Sequence, residues 1–219
     1  AWGKASDVSE IGMHPHKAFE IVTYVIDGLV EHRDSLGSLE TVTNGGAQVI
    51  QAGSGVYHAE AFRRAGSEAM QIWFEPHLSE TVKKPAAYHQ YEHEKFPVSQ
   101  LTGATVKTVI SGDAPIQLDT DVRMYDWEIE PGAAFSYALE SGRRLAFLVI
   151  RGEGAGVVAA AGTKGGQEQG QQAFSHKDFV VAQASGEGEA LHLLAGSESG
   201  MRIIAIDVPE DPGYALYRK

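Results

Sequence analysis

The sequence predicts an all-β protein made of two antiparallel β domains, and three features indicate this class. Short runs rich in β-branched and aromatic residues recur along the whole chain, and glycine-containing turns separate them. Apolar residues almost never recur at the i, i+3, i+4 spacing of a helix. A polar, proline-rich stretch from Pro76 to about Thr102 interrupts the strand texture once. Such a pattern is typical of β-sandwiches or β-barrels.

The first predicted domain spans residues 1–102, with a connector that begins at about residue 76. Its strands are expected at 19–26, 29–34, 47–51 and 69–75. The dipeptide Asp27-Gly28 separates the first two, and because this dipeptide favours tight turns, we expect those strands to form a hairpin. The connector is expected to contain a helical turn.

The second predicted domain spans residues 103–219. Its strands are expected at 106–110, 124–129, 145–150, 179–182 and 203–206. The segment from Gly162 to Gln172 is nearly all Gly, Gln and Glu, so it has little to bury and is expected to be a solvated loop. No His-x-His or His-x-Glu pair occurs in this half, and we expect it to bind no metal.

Composition excludes several classes of function. The 29 acidic and 18 basic side chains give a net charge of −11, which disfavours direct binding to nucleic acid. The absence of cysteine excludes thiol catalysis and thiolate metal sites. No apolar run is long enough to predict a membrane span, and a cytoplasmic location is expected. Small-molecule chemistry is favoured, with His, Asp and Glu as the candidate metal ligands.

Two pairs of potential metal ligands stand out. His14 and His16 flank a proline, and His58 and Glu60 repeat the same i, i+2 spacing. In an extended segment this spacing puts both side chains on one face, so two strands can close around one ion. Either pair alone is more often surface or core histidine than a ligand pair. Three imidazoles and one carboxylate suit iron, manganese, cobalt, nickel, copper or zinc, and do not suit calcium.

The segments that contain these pairs resemble the signature of the pirin family in the cupin superfamily. The similar segments are residues 14–20, 23–28, 31–37, 51–60, 71–74 and 85–90, within a resemblance that covers residues 12 to 91. It implies a bicupin, with two β-barrel (jelly-roll) domains. It also implies one divalent metal, with Fe(II) as the expected ion, bound by His14, His16, His58 and Glu60.

Other residues are assigned weaker roles. Glu20 stands where many other cupins place a metal carboxylate, but the resemblance to pirins implies that it supports the site or the fold instead. His89 and His93 have the i, i+4 spacing of a helical zinc site but lack the glutamate that follows the first histidine, so they are not expected to bind metal. The isolated residues His32, His77, His176 and His192 are expected on the surface or in hydrogen-bonded core positions. Pirins usually carry several tens of residues before the first pair, so the chain is either truncated or closes its first barrel differently.

The resemblance to the quercetinase-like bacterial branch implies a flavonol dioxygenase of the quercetin 2,3-dioxygenase type. Its partners would be a flavonoid-like small molecule and dioxygen, and the ring would open with loss of carbon monoxide. Glu60 would be the general base that receives the proton of the 3-hydroxyl group. The alternative is a metal-binding, redox-sensing regulatory protein that binds a transcription factor or a metabolic enzyme. Both functions require the same metal site.

Overall fold

The computed structural model describes residues 1–161 and 170–217, and strands dominate it. The predicted all-β class is confirmed. Most of the predicted loop from Gly162 to Gln172 lies outside the described residues. The chain divides into two compact units. The first comprises Ala1–Phe96, Pro115–Thr120 and Gly213–Lys219, and the second comprises Pro97–Ala114 and Asp121–Pro212.

The first unit consists of two antiparallel sheets. Its strands are β1 (Trp2–Lys4), β2 (Ser9–His16), β3 (Glu20–Asp27), β4 (Leu29–Asp34), β5 (Leu39–Thr43), β6 (Ala47–Gln51), β7 (Val56–Phe62), β8 (Glu68–Phe74) and β9 (Ala87–Tyr91). A five-stranded sheet has the order β1-β8-β3-β6-β9, and a four-stranded sheet has the order β2-β7-β4-β5. Val25 and Ala69 of the first sheet pack with Val30 and Val42 of the second, so apolar burial joins the two sheets.

The predicted hairpin between β3 and β4 is wrong. Strand β3 pairs with β6 and β8, whereas β4 pairs with β5 and β7 in the other sheet. Gly28 lies between them with φ +84°, and a Cβ atom there would come within 2.3 Å of the Ser67 hydroxyl oxygen. The Asp27-Gly28 dipeptide therefore forms a corner at which the chain crosses from one sheet to the other, and it closes no hairpin.

The predicted connector contains the helix α1 (Leu78–Thr81), strand β9, a 3₁₀ helix (His93–Lys95) and the strand β10 (Val98–Leu101). Strand β9 pairs with β6 in the first unit. The predicted helical turn is present as α1. The domain boundary near residue 102 stays a prediction. The first unit is not continuous in sequence, since it also includes residues 115–120 and 213–219.

The second unit contains a nine-stranded antiparallel sheet. Besides β10, its strands are β11 (Ala104–Ile110), β12 (Arg123–Ile129), β13 (Ala134–Ala138), β14 (Arg143–Ala160), β15 (Gln172–Ser175), β16 (Phe179–Gln183), β17 (Glu189–Ala195) and β18 (Met201–Pro209). The long strand β14 pairs with β16 and β18 along its first half and with β15 and β17 along its second half. Fully buried Trp127 and Phe147 anchor the core. In the part of the chain that the structure describes, no helix has the length and apolar character that crossing a membrane requires.

Candidate metal centre

An irregularity in strand β2 places His14 opposite His58. Ile11 pairs with Glu60 and His14 pairs with His58, so β2 advances by three residues while β7 advances by two. The extra residue is a β-bulge at Gly12 and Met13, which changes the direction in which the following side chains point. Both ligand pairs lie on strands as the spacing predicts.

Three imidazoles converge next to this bulge. The ring centroids of His14 and His58 are 4.3 Å apart, and each lies 4.8 Å from the ring centroid of His16. Potential ligand atoms of these three residues all lie within 4.8 Å of one another. His58 is fully buried, and the other two side chains are partly exposed. One ion could contact all three rings.

The lowered pKa values of His58 and His16 suit metal ligands. Burial, followed by the nearby charges of His14, His16 and His32, lowers the pKa of His58 to about 3, so this ring is neutral at pH 7. Burial and the charge of His14 also lower the pKa of His16. The Nδ1–H group of His14 can donate to the carbonyl oxygen of Gly12 at 2.8 Å, which leaves Nε2 as the ligand atom.

His58 has one nitrogen for which the described residues provide no partner. Its Nε2 is buried and makes no hydrogen bond with any group that the structure describes. Because a buried polar atom without a partner costs about 1–3 kcal/mol, such an atom calls for an explanation. A divalent metal ion between the three rings would satisfy it. The donor set of three imidazoles therefore fits a borderline metal ion.

Glu60 lies on the same face of β7 as His58, and its carboxylate is held by neutral donors. Thr23 Oγ1 and Gln48 Nε2 donate to Oε1 at 3.2 Å and 2.5 Å, and Gln71 Nε2 donates to Oε2 at 2.7 Å. Among the described residues, the group of ligand atoms within 4.8 Å does not include Glu60. Its role as a fourth ligand and as a base stays a prediction.

Glu20 is buried in a different environment. Its carboxylate accepts hydrogen bonds from the backbone N–H groups of Asp119 and Thr120, from the Thr120 hydroxyl group and from the Gln51 side chain. Glu20 thus ties residues 115–120 to the strands of the first unit. His89 lies on β9 and His93 lies in the 3₁₀ helix, so these two histidines do not share a helix.

Sequence reasoning overlooked the importance of His32. This ring is fully buried, and its Nδ1 lies 3.5 Å from Nδ1 of His58. Its Nε2 lies 2.9 Å from Oδ2 of Asp34. The available signal was the i, i+2 spacing of His32 and Asp34, which matches the spacing of the two ligand pairs.

A cavity of about 270 Å³ lies beside Glu60 in the first unit. Thr23 and Gln71 provide its polar wall together with Glu60, and the three imidazoles do not line it. The apolar lining includes Ile11, Val30, Phe62 and Ala69. A cavity of this size with few polar groups is close to the lower end of the range for small-molecule sites.

Comparisons of sequence relate this site to known proteins. The family model described as Pirin matches residues 1–74, which include all four predicted ligands. Pirin-like protein 2 of Arabidopsis thaliana is 31% identical over 154 residues, which are 68% of this chain and 47% of that protein. Quercetin 2,3-dioxygenase of Escherichia coli strain K12 is 31% identical over 147 residues, which are 64% of this chain and 59% of that protein. The match thus spans about half to three-fifths of these relatives.

Comparisons of structure agree. A bacterial pirin from Escherichia coli, YhhW in complex with nickel(II), superposes with a TM-score of 0.70 and 25% identity, over 95% of this chain and 79% of that chain. Quercetin 2,3-dioxygenase from Acinetobacter baumannii superposes with a TM-score of 0.74 and 24% identity, over 98% of this chain and 74% of that chain, and supports the fold. The region that the family model matches, residues 1–74, belongs to the pirin family.

Proposed function

We propose that this protein is a metal-dependent dioxygenase that opens the ring of flavonols such as quercetin, in a reaction of the quercetin 2,3-dioxygenase type. The observation that carries the proposal is the buried Nε2 of His58, which lacks a hydrogen-bond partner among the described residues and faces two further imidazoles. Similarity to relatives named quercetin 2,3-dioxygenase supports the reaction class.

In this proposal His14, His16 and His58 hold one divalent ion, and Glu60 is the fourth ligand. We propose Fe(II) as the ion, with manganese, cobalt, nickel, copper or zinc as alternatives. The solved pirin that carries nickel(II) supports a divalent ion at such a site. A bound divalent ion would supply Lewis acidity toward a phenolic oxygen and an open coordination position.

Glu60 would accept the proton of the flavonol 3-hydroxyl group. An ionised carboxylate offers about four acceptor positions, and the described donors occupy three of them. The remaining position is on Oε2, which receives a hydrogen bond only from Gln71 in the described part of the chain. Because one position serves both roles, Glu60 would leave the metal when it accepts the proton. Only 8% of Glu60 is exposed, so few water molecules would compete for that position.

Trp73 would provide the surface on which a planar substrate rests. Its indole ring meets the ring of His16 edge to face with a centroid distance of 4.7 Å, and it lies 5.8 Å from the ring of Phe19. Half of Trp73 is exposed. An exposed aromatic face beside the imidazoles suits the stacking of a flat phenolic ring.

The test is turnover by the reconstituted protein. The protein is stripped with a chelator, loaded with Fe(II) under anaerobic conditions and mixed with quercetin in air-saturated buffer. Oxygen uptake and carbon monoxide release are measured together, and the bound metal is counted by elemental analysis. We expect His58→Ala and Glu60→Ala to abolish oxygen uptake without loss of the fold. His89→Ala is the matched control, because His89 is an exposed histidine of the same unit, and it should retain full activity.

Two results would count against the proposal. Less than about a tenth of an equivalent of metal after reconstitution would remove the premise that the three histidines bind an ion. Stoichiometric metal without turnover, for Fe(II) and for each alternative ion, would favour the regulatory protein that senses redox state. In that case the metal would change the charge of the site and a protein partner would respond to it.

A further inference from the structure

A buried chain of polar side chains runs from strand β4 to the candidate metal centre. In the register of β4 and β7, Asp34 lies opposite His58 and His32 lies opposite Glu60. The side chains of Asp34 and His32 are 1% and 0% exposed. The contacts are Asp34 Oδ2 to His32 Nε2 at 2.9 Å and His32 Nδ1 to His58 Nδ1 at 3.5 Å.

The backbone fixes the orientation of Asp34. Its Oδ1 accepts the N–H groups of Leu36 at 2.9 Å and Ser38 at 3.0 Å, so Oδ2 is the atom that faces His32. Burial alone would raise the pKa of Asp34, but the hydrogen bonds from His32, Ser38 and Leu36 lower it overall. Asp34 is therefore an acceptor at both oxygens.

The donors and acceptors of this chain can be assigned in one direction. Because Asp34 only accepts, Nε2 of His32 carries the hydrogen, and Nδ1 of His32 is left as an acceptor. The hydrogen between the two rings then belongs to Nδ1 of His58, and Nε2 of His58 keeps a lone pair. That nitrogen is the one for which no described residue provides a hydrogen bond.

We propose that Asp34 and His32 are positioning residues, which hold His58 in the tautomer whose Nε2 can bind a divalent metal. This inference rests on the proposed function for the identity of the ligand and on the geometry alone for the tautomer. The ring of Tyr88 stacks on His32 with centroids 3.9 Å apart and planes 3° from parallel, so the intermediate ring cannot tilt freely.

A buried histidine of the second unit shows the difference between a structural and a positioning arrangement. His192 has partners at both nitrogens, the Ser136 hydroxyl group at 2.8 Å and the Ala160 carbonyl oxygen at 3.2 Å. Its tautomer satisfies the fold and leaves no nitrogen over. The arrangement of Asp34 and His32 provides a partner for Nδ1 of His58. It leaves Nε2 of His58 free for an ion shared with His14 and His16.

The substitution Asp34→Asn separates these possibilities. The backbone N–H groups of Leu36 and Ser38 keep the amide oxygen at the Oδ1 position, so the NH₂ group must face His32. His32 then has to accept at Nε2 and donate at Nδ1, and His58 has to accept at Nδ1 and carry its hydrogen on Nε2. This inverted tautomer has to give up the hydrogen on Nε2 before that nitrogen can bind metal, which weakens the binding.

The experiment uses long-range ¹H–¹⁵N NMR of the metal-free protein and Ni(II) titration. In the unmodified protein we expect the Nδ1–H tautomer of His58, and in Asp34→Asn we expect the Nε2–H tautomer with Ni(II) affinity reduced about 10- to 100-fold. Asp27→Asn, at an exposed aspartate that pairs with Arg64, is the matched control and should change neither quantity. His32→Phe keeps a ring against Tyr88 without an acceptor, and it should give a mixture of His58 tautomers and weaker Ni(II) binding.

The outcomes are distinct. An Nε2–H tautomer of His58 in the unmodified, metal-free protein would overturn the proposal without any variant. An unchanged tautomer and affinity in both Asp34→Asn and His32→Phe would overturn it as well. If the tautomers follow the expectation but the unmodified protein binds no metal, the tautomer inference is supported and the proposed function fails.

Discussion

The side-chain amide of Gln71 donates a hydrogen bond of 2.7 Å to Oε2 of Glu60, and its direction is set from the other side. The indole N–H of Trp73 donates to Oε1 of Gln71 at 3.0 Å, so the NH₂ group of Gln71 must point toward Glu60. The same NH₂ group lies 3.2 Å from the Thr23 hydroxyl oxygen. An exposed aromatic residue thus orients the donor that holds a buried carboxylate.

Glu60→Gln should be destabilising even though it conserves shape. The variant replaces one acceptor oxygen by an NH₂ group, which meets the NH₂ group of Gln48 or of Gln71, so at least one buried donor loses its acceptor. We expect the free energy of unfolding to fall by about 1–3 kcal/mol, measured by urea denaturation of the metal-free protein. Glu94→Gln is the control at an exposed site and should change stability by less than about 0.5 kcal/mol. Equal stability of the two variants would contradict the assignment of these hydrogen bonds.

Local patterns account for what the sequence predicted correctly. The period of two in a strand puts His14 and His16 on one face, and it does the same for His58 and Glu60. This relationship is local, because the members of each pair are only two residues apart in the sequence. The resemblance to pirins rested on six segments between residues 12 and 91, two of which contain these pairs. The all-β class followed in a similar way from strand texture and glycine turns.

Non-local relationships could not be predicted from these patterns. The bulge at Gly12 and Met13 depends on the pairing of β2 with β7, and these strands begin 47 residues apart, at Ser9 and Val56. The crossing at Gly28 depends on Ser67, whose position no local signal reveals. Sequence reasoning could therefore list the imidazoles but could not show that His32 touches one of them.

Gly28→Ala tests the corner between the two sheets of the first unit. The φ of +84° disfavours a side chain, and the added Cβ would lie 2.3 Å from Oγ and 2.8 Å from Cα of Ser67. We expect a loss of about 2–4 kcal/mol in the free energy of unfolding. Gly66→Ala is the matched control, because its φ is +83° and no atom lies within 4 Å of its added Cβ. It should lose only about 1 kcal/mol, and an equal loss in both variants would show that the contact with Ser67 is unimportant.

Glu20→Ala distinguishes a structural carboxylate from a metal ligand. The variant leaves the backbone N–H groups of Asp119 and Thr120 without their acceptor, so we expect the free energy of unfolding to fall by about 2–4 kcal/mol. The Ni(II) stoichiometry and affinity, measured by calorimetric titration, should not change. The comparison is with His58→Ala, which should lose Ni(II) binding. Weaker Ni(II) binding by Glu20→Ala, at a temperature where the variant remains folded, would make Glu20 a ligand.

Acidification should destabilise the metal-free protein through His58. The pKa of this ring is about 3 in the folded state and about 6.5 in the unfolded chain, so below pH 6.5 the unfolded chain binds a proton that the folded protein does not. Stability from this group is complete above pH 6.5 and is lost as the pH falls toward 3. Between pH 6.5 and 5 the loss amounts to about 1.5 kcal/mol.

The measurement compares the unmodified protein with His58→Phe, which cannot titrate at this position. Free energies of unfolding are determined by urea denaturation at pH 6.5, 5.75 and 5 in the presence of a chelator, in a range where most carboxylates are still ionised in both proteins. We expect the unmodified protein to lose about 1.5 kcal/mol more than the variant over this range. Parallel pH dependence of the two proteins would contradict this expectation, because it would mean that His58 takes up its proton in the folded protein over the same pH range as in the unfolded chain. A metal ion would then have to displace that proton from the ring at pH 5 to 6.5.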